Sequence, residues 1–157
     1  MARLFLIAIL LLLVQTPAWA EIAGKRPYVV DGDSFELLGI RVRLFGVDAP
    51  DPDQTCSLNG ASWNCGLDAR WALGDRIGLN WVVCIERSRD PDGSVSAVCY
   101  LGGIGGPELN GWIVAQGWAL ARRQESQAYL ADEEAARRAG RGLWRSQFVP
   151  PWEWRQP

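Results

Sequence analysis

Carboxylates and guanidinium groups crowd one short region of the chain. In "RVRLFGVDAPDPD", residues 41 to 53, Arg41 and Arg43 alternate with apolar residues, and Asp48, Asp51 and Asp53 follow within six positions. Upstream, "VVDGDS" adds Asp31 and Asp33. Carboxylate oxygens are the hard donors that calcium prefers, and a guanidinium can grip a phosphate through two parallel hydrogen bonds. Together these groups suit the chemistry of a phosphate ester on a divalent cation. The same residues also have plainer readings. Asp-Gly-Asp-Ser is good hairpin-turn chemistry, both arginines can be solvent-facing strand residues, and Asp53 can be a solvated loop acid. The chain has no histidine. That excludes imidazole acid–base catalysis, Ser-His and Cys-His nucleophile pairs, and His-ligated zinc.

The elements that must position these residues are legible in the pattern. "PYVVDGDSFELL" reads as two short strands around the Asp31-Gly32 turn. Gly39 breaks the run, and "IRVRLFGV" (Ile40 to Val47) is a third strand, with Val42 and Leu44 on one face and Arg41, Arg43 and Phe45 on the other. Arg43 and Asp48 are an odd number of residues apart, so an ideal strand would send them to opposite faces. Gly46 is the place for a bulge or kink that turns Asp48 back. A loop from Asp48 to Asn64 leads to helical spacing at Leu67, Trp71, Gly74 and Ile77, with Gly78 as a stop. "WVVCIERSRDPDGSVSAVCYLGG" reads as a hairpin turning at Asp90-Pro91-Asp92-Gly93. "PELNGWIVAQG" is a short helix with Pro107 near its start and Gly117 at its end. The last helix is expected from about Ser126 to Ala139, with Ala128, Ala131, Ala135 and Ala139 as its apolar stripe. Glu133–Arg137 and Glu134–Arg138 are its (i, i+4) pairs. This order predicts an α+β, mainly β fold: a five-stranded OB-fold barrel with three α-helices.

Residues 1 to 20 read as a signal peptide, with Arg3, an apolar run from Leu4 to Val14, and an Ala18-Trp19-Ala20 cleavage site. The run is too short for a membrane-spanning helix, which needs about 20 residues. Cleavage would leave one domain, Glu21 to Pro157, exported to the periplasm or secreted; an uncleaved anchor is the alternative. Losing Arg3 makes the formal charge one unit more negative than −2. Such mild acidity argues against nonspecific nucleic-acid binding through bulk charge, though a local basic cleft stays open. Cys56, Cys65, Cys84 and Cys99 form no Cys-x-x-Cys pair, so in an oxidising compartment disulfides are favoured over zinc. Of the possible pairings, local geometry favours Cys56–Cys65 with Cys84–Cys99. Placing Cys84 opposite Cys99 sets a hairpin register in which Arg89 faces Ser94.

Five stretches, "VVDGDSF", "RVRLFGVDAPD", "DPDGSVSAVCY", "LNGWIVAQGWA" and "GLW", in this order and spacing, resemble the staphylococcal nuclease (thermonuclease) family. The resemblance covers nearly all of the chain after the leader, and the cysteines and Trp-rich end resemble secreted bacterial members. It implies a calcium ion held by Asp33, Asp48 and the backbone carbonyl of Ala49. It implies that Arg43 contacts the scissile phosphate and that Asp51, at a glutamate position, orients or deprotonates the attacking water. Asp51 is one methylene shorter, and positioning errors near 1 Å cost on the order of 100-fold in rate. A second family arginine, after the hairpin-turn glycine, is replaced by Ser94; losing such a group commonly costs about 10²- to 10³-fold. The family's nucleotide-stacking tyrosines are replaced by Arg123 and Glu125. Arg89, opposed to Ser94, is expected to lend a guanidinium to the vacated space, or else to be an exposed hairpin arginine.

The implied function is that of an exported, monomeric, calcium-dependent phosphodiesterase acting on single-stranded DNA or RNA, attenuated by these substitutions. A competing reading is a catalytically inactive module of the same fold that binds a polymer or protein partner in the cell envelope. A third makes the protein structural, with Trp152 and Trp154 docking a partner or packing on the barrel.

Overall fold

The computed structural model describes residues 20–156; the expected signal peptide lies outside the described residues. In chain order the strands open with β1 (Glu21–Lys25), β2 (Tyr28–Val29), β3 (Ser34–Leu37), β4 (Ile40–Leu44) and β5 (Val47–Asp48). After β6 (Cys56–Leu58) and β7 (Ala61–Trp63) comes the helix α1 (Cys65–Ile77), followed by β8 (Trp81–Arg89) and β9 (Val95–Leu101). The chain closes with α2 (Leu109–Ala115), β10 (Leu120–Ala121), α3 (Leu130–Arg138), a 3-10 turn (Gly142–Arg145) and α4 (Pro151–Trp154). No helix among the described residues is long and apolar enough to cross a membrane.

The fold is mainly β with several helices, but the main sheet has six strands, in the order β1-β8-β9-β4-β3-β2, where five were expected. The additional strand is β1, which pairs antiparallel with β8 from Glu21↔Ile85 to Lys25↔Trp81. Its sequence EIAGK buries only Ile22 and Gly24, so its alternation carries little apolar signal. β4 and β9 run parallel, and this pairing sets Arg43 beside Ser96. The two-residue strands β5 and β10 pair separately, with Asp48 opposite Leu120.

The inward face of β3 and β4 (Phe35, Leu37, Val42 and Leu44) packs with Leu73 and Ile77 of α1 and Leu109 and Ile113 of α2. Burying each such side chain contributes about 1.5–3 kcal/mol against conformational entropy. The buried face of α1 is Cys65, Ala69, Leu73 and Ile77, while Trp71, expected on the apolar stripe, is exposed. Cys65 explains the phase. Its disulfide to Cys56 fixes which way the first turn faces, and residues four apart follow on the same side.

Both expected bridges are present, Cys56–Cys65 and Cys84–Cys99. The hairpin register follows the Cys84↔Cys99 pair as far as Glu86↔Ala97, then a bulge between Glu86 and Ser88 shifts it. Arg89 therefore pairs with Val95 and not with Ser94. The last long helix starts at Leu130, later than the expected Ser126, and buries Ala136 rather than the alanine stripe. Glu134 and Arg138 pair at 3.5 Å. Glu133 instead turns toward β10, accepting from the Ala121 amide at 2.7 Å and pairing with Arg123 at 3.7 Å.

Candidate active site

The cleft that gathers the chemistry is small, about 260 Å³, and lies at the open end of the β3–β4 meander. Its wall is set by local turn chemistry. Asp31 accepts from the Asp33 amide (3.0 Å) and the Ser34 hydroxyl (2.7 Å), which closes the turn and fixes Ser34 at the start of β3. Asp31 is thus a turn-former, and it also meets Arg41 at 3.4 Å. Asp33 points inward, is almost fully buried, and accepts from the Ala49 amide at 2.9 Å. Gly32 is required there because a Cβ would lie 2.7 Å from the Ala49 Cβ and 2.8 Å from that of Ala69.

The parity problem between Arg43 and Asp48 is solved at Gly46. Its φ of +77° puts it in the left-handed region, so β5 leaves β4 at an angle and Asp48 returns to the face that carries Arg43. A Cβ at Gly46 would come within 2.8 Å of Ser126 Cβ and 2.9 Å of Tyr129 Cε2. Arg43, Asp33, Asp48, Asp51 and Ser94 all line the one cleft. Arg89 and Asp53 are not among its lining residues. Arg89 binds Glu86 and donates to the Gly93 carbonyl at 3.2 Å, and Asp53 is exposed. The guanidinium expected to fill the space left by Ser94 is therefore held elsewhere by the shifted register.

Two groups that bind the cleft's residues were not expected as their partners. The first is Glu125, expected only as a substituted stacking position. It takes Arg43 in a two-pronged pair, Nη1 to Oε2 at 3.1 Å and Nη2 to Oε1 at 2.8 Å, while Arg43 Nη2 also donates to Ser96 at 3.0 Å. Glu125 further accepts from the Gly46 amide at 2.9 Å and faces Arg122 at 3.5 Å. Burial pushes its carboxyl up, but the bonds from Arg43 and Gly46 and the charges of Arg43 and Arg122 outweigh that. The net position is below the ordinary glutamate value.

The second is Arg155, one residue past α4. Its Nη2 donates to Asp48 Oδ1 and to the Ala49 carbonyl, each at 2.9 Å, and its Nε lies 2.9 Å from both oxygens of Asp51. Burial works against its charge, but hydrogen bonds and charge from Asp48 and then Asp51 hold it protonated. No local sequence signal announces this contact, which joins positions 107 apart.

The oxygens of Asp33, Asp48 and Ala49 meet close to the Arg155 guanidinium. Among the described residues no group of three or more His, Cys, Asp or Glu side chains is arranged to hold a metal. The donors that fit are two carboxylates, Asp33 and Asp48, with the Ala49 carbonyl, leaving water to complete a calcium shell of six to eight oxygens. Two observations favour a cation there. Asp48 Oδ2 is buried without a hydrogen-bond partner. Asp33, almost fully buried and facing the Ala49 amide, supplies the second carboxylate. The donor chemistry therefore fits a hard divalent ion, although Arg155 holds some of the same atoms.

A larger cavity, about 780 Å³, lies across β10 between α3 and the tail, lined by Trp144, Phe148, Trp152, Arg123 and Arg137 among others. It contains none of the expected metal or catalytic residues.

Comparison with known proteins places the chain among nuclease relatives. The family model described as staphylococcal nuclease homologue matches residues 41–146. The chain is 33% identical over 165 residues to the micrococcal nuclease of Shigella flexneri, covering 95% of this chain and 89% of that protein. It is 31% identical over 140 residues to the succinoglycan biosynthesis protein ExoI of Rhizobium meliloti, covering 87% and 72% respectively. An uncharacterized endonuclease of Escherichia coli is 27% identical over 143 residues, covering 87% of this chain and 86% of its own.

Proposed function

The chain belongs to the staphylococcal nuclease homologues, and from that membership and the make-up of the cleft we propose that it is an exported, calcium-dependent phosphodiesterase of attenuated rate acting on DNA or RNA. The observation that carries this reading is the convergence of Arg43 with Asp33, Asp48 and Asp51 in one cleft, made by the turn at Gly46. Asp33, Asp48 and the Ala49 carbonyl would hold calcium, which when bound supplies positive charge to stabilise charge developing on the phosphate.

The chain's own residues do the rest. Arg43 exchanges Glu125 for two phosphate oxygens, a like-for-like swap of one planar acceptor pair for another. Asp51, ion-paired to Arg155 Nε, orients the attacking water and takes its proton as the water oxygen bonds to phosphorus; the P–O bond to the leaving strand breaks, and that oxygen takes a proton from solvent. Attenuation has three sources: Ser94 brings no guanidinium, Asp51 is short, and Glu125 competes with substrate. The paired cysteines and the apolar leader support export, and the substrate would be a single strand able to enter a narrow cleft as it meets a monomer.

The test is cleavage of single-stranded DNA and RNA by the oxidised protein with calcium, with chelator, and as Asp33→Ala. Loss of cleavage in both chelator and the variant is expected; cleavage unaffected by either ends the proposal. A second reading, a non-catalytic module that binds a polymer or protein partner in the envelope, is favoured by one observation. Arg43 and Arg155 already have intramolecular partners. Calcium-dependent thermal stabilisation with no turnover on either substrate would select it.

A further inference from the structure

The C-terminal segment does more than cover the cleft. From Gln147 to Val149 it is strapped to the segment from Gln54 to Ser57. Ser57 and Gln147 exchange backbone hydrogen bonds at 2.8 and 2.9 Å, and the buried Gln54 donates to the Val149 carbonyl at 2.7 Å. Phe148 packs against the cluster of Cys56, Cys65 and Leu143. Beyond that anchor, α4 is a single turn in which only Pro151 is buried. A turn this short has little stability of its own. Its position is held by what its end touches, and its end is Arg155.

Arg155 takes the atoms that matter. One guanidinium edge spans Asp48 Oδ1 and the Ala49 carbonyl, and the Nε reaches Asp51. Asp48 is 2% exposed, and its other oxygen is unpartnered. A buried carboxylate with no counter-charge is strongly disfavoured, so this acid needs a cation, and Arg155 is the cation that the chain supplies.

We propose that Arg155 is a built-in counter-cation of the acidic cleft, and that docking of the tail and binding of a divalent cation exclude one another. The inference rests on reading Asp33, Asp48 and the Ala49 carbonyl as the cation site. A calcium ion on Asp48 and the Ala49 carbonyl requires the guanidinium to leave both atoms. Because the backbone hydrogen bonds of α4 stay within residues 150 to 156, the turn can swing out while the strap from Gln147 to Val149 stays in place. The docked tail lowers the apparent affinity for calcium by the fraction of molecules in which the cleft is free. Coupling is mutual, so calcium must also release the tail.

The test is titration of the oxidised protein with calcium alone, followed by calorimetry, for wild type, Arg155→Ala, Arg155→Lys and Asp33→Ala. If the docked form holds about nine molecules in ten, Arg155→Ala tightens binding about tenfold without changing stoichiometry. Arg155→Lys is expected to tighten it less, because an ammonium keeps the charge but loses the fork that spans three acceptors. Asp33→Ala removes binding. Thermal unfolding without calcium verifies that each variant is folded. Equal calcium affinity in wild type and Arg155→Ala overturns the exclusion while leaving the cation site intact. Absence of calcium binding in both, with folded protein, overturns the cation-site reading and the exclusion with it.

Discussion

Arg43 donates from both terminal nitrogens to Glu125, so a phosphate entering the cleft must displace a carboxylate that fits the same fork. Arg89, by contrast, spends its donors on Glu86 and a turn carbonyl outside the cleft. Arg43→Ala is therefore expected to lower kcat/KM by about 10²- to 10³-fold, while Arg89→Ala stays within about twofold of wild type; steady-state cleavage of single-stranded DNA separates the two. Equal losses in both variants would return Arg89 to the site. Glu125 makes a second prediction, through pH. Its carboxyl is held below the ordinary value of 4.5 in the folded protein. A depressed acid contributes stability that is complete above 4.5 and is lost as pH falls through the folded value. Glu125→Gln should thus be less stable than wild type at neutral pH, and the gap should close on acidification below about 4.5. Thermal unfolding of both proteins from pH 7 to pH 3 measures it, and a gap that stays constant would deny the ion pair its role.

At the scale of elements, the departure of β5 from β4 decides whether there is a site at all. Gly46→Ala would place a side chain at φ +77° against Ser126 and Tyr129, with an expected destabilisation of about 1–3 kcal/mol. Urea unfolding checks the figure, and a variant as stable as wild type would show that the turn tolerates a Cβ. This turn was visible beforehand because its evidence is local: an odd spacing between two functional residues and one glycine between them. The turn at Asp31 and the hairpin turn at Asp90 to Gly93 were legible for the same reason, since Asp, Gly and Pro act on their own backbone. The bulge between Glu86 and Ser88 was not. Nothing in "CIERSRD" requires an extra residue there, and missing it reversed the face assigned to Arg89. The face of α1 was misread in a similar way, because a disulfide to β6, and not the helix's own apolar spacing, sets its phase. Glu125 and Arg155 were missed as partners because they come from distant segments, 82 positions from Arg43 and 107 from Asp48. Pattern reading finds what each element offers to itself.

For the molecule as a whole, all four cysteines are in bridges, and these close loops of 9 and 15 residues. Each is worth about 2–4 kcal/mol. Reduction under native conditions should therefore lower the urea midpoint substantially, with Cys84→Ala/Cys99→Ala and Cys56→Ala/Cys65→Ala each accounting for part. A midpoint unmoved by reductant would mean that the bridges constrain nothing. Opening the Cys56 bridge also loosens the surface to which the strap from Gln147 is tied. The two halves of the cleft also differ in when they can form. Asp33, Arg43 and Asp48 meet through a turn and a short meander, whereas Arg155 must come from the far end of the chain. Contacts so distant in sequence tend to close late. Under the proposed exclusion, calcium added before refolding would meet these acids with less competition from the tail than calcium added afterwards. The first occupant of the cleft is then set by order of arrival, and the affinities decide only which cation remains.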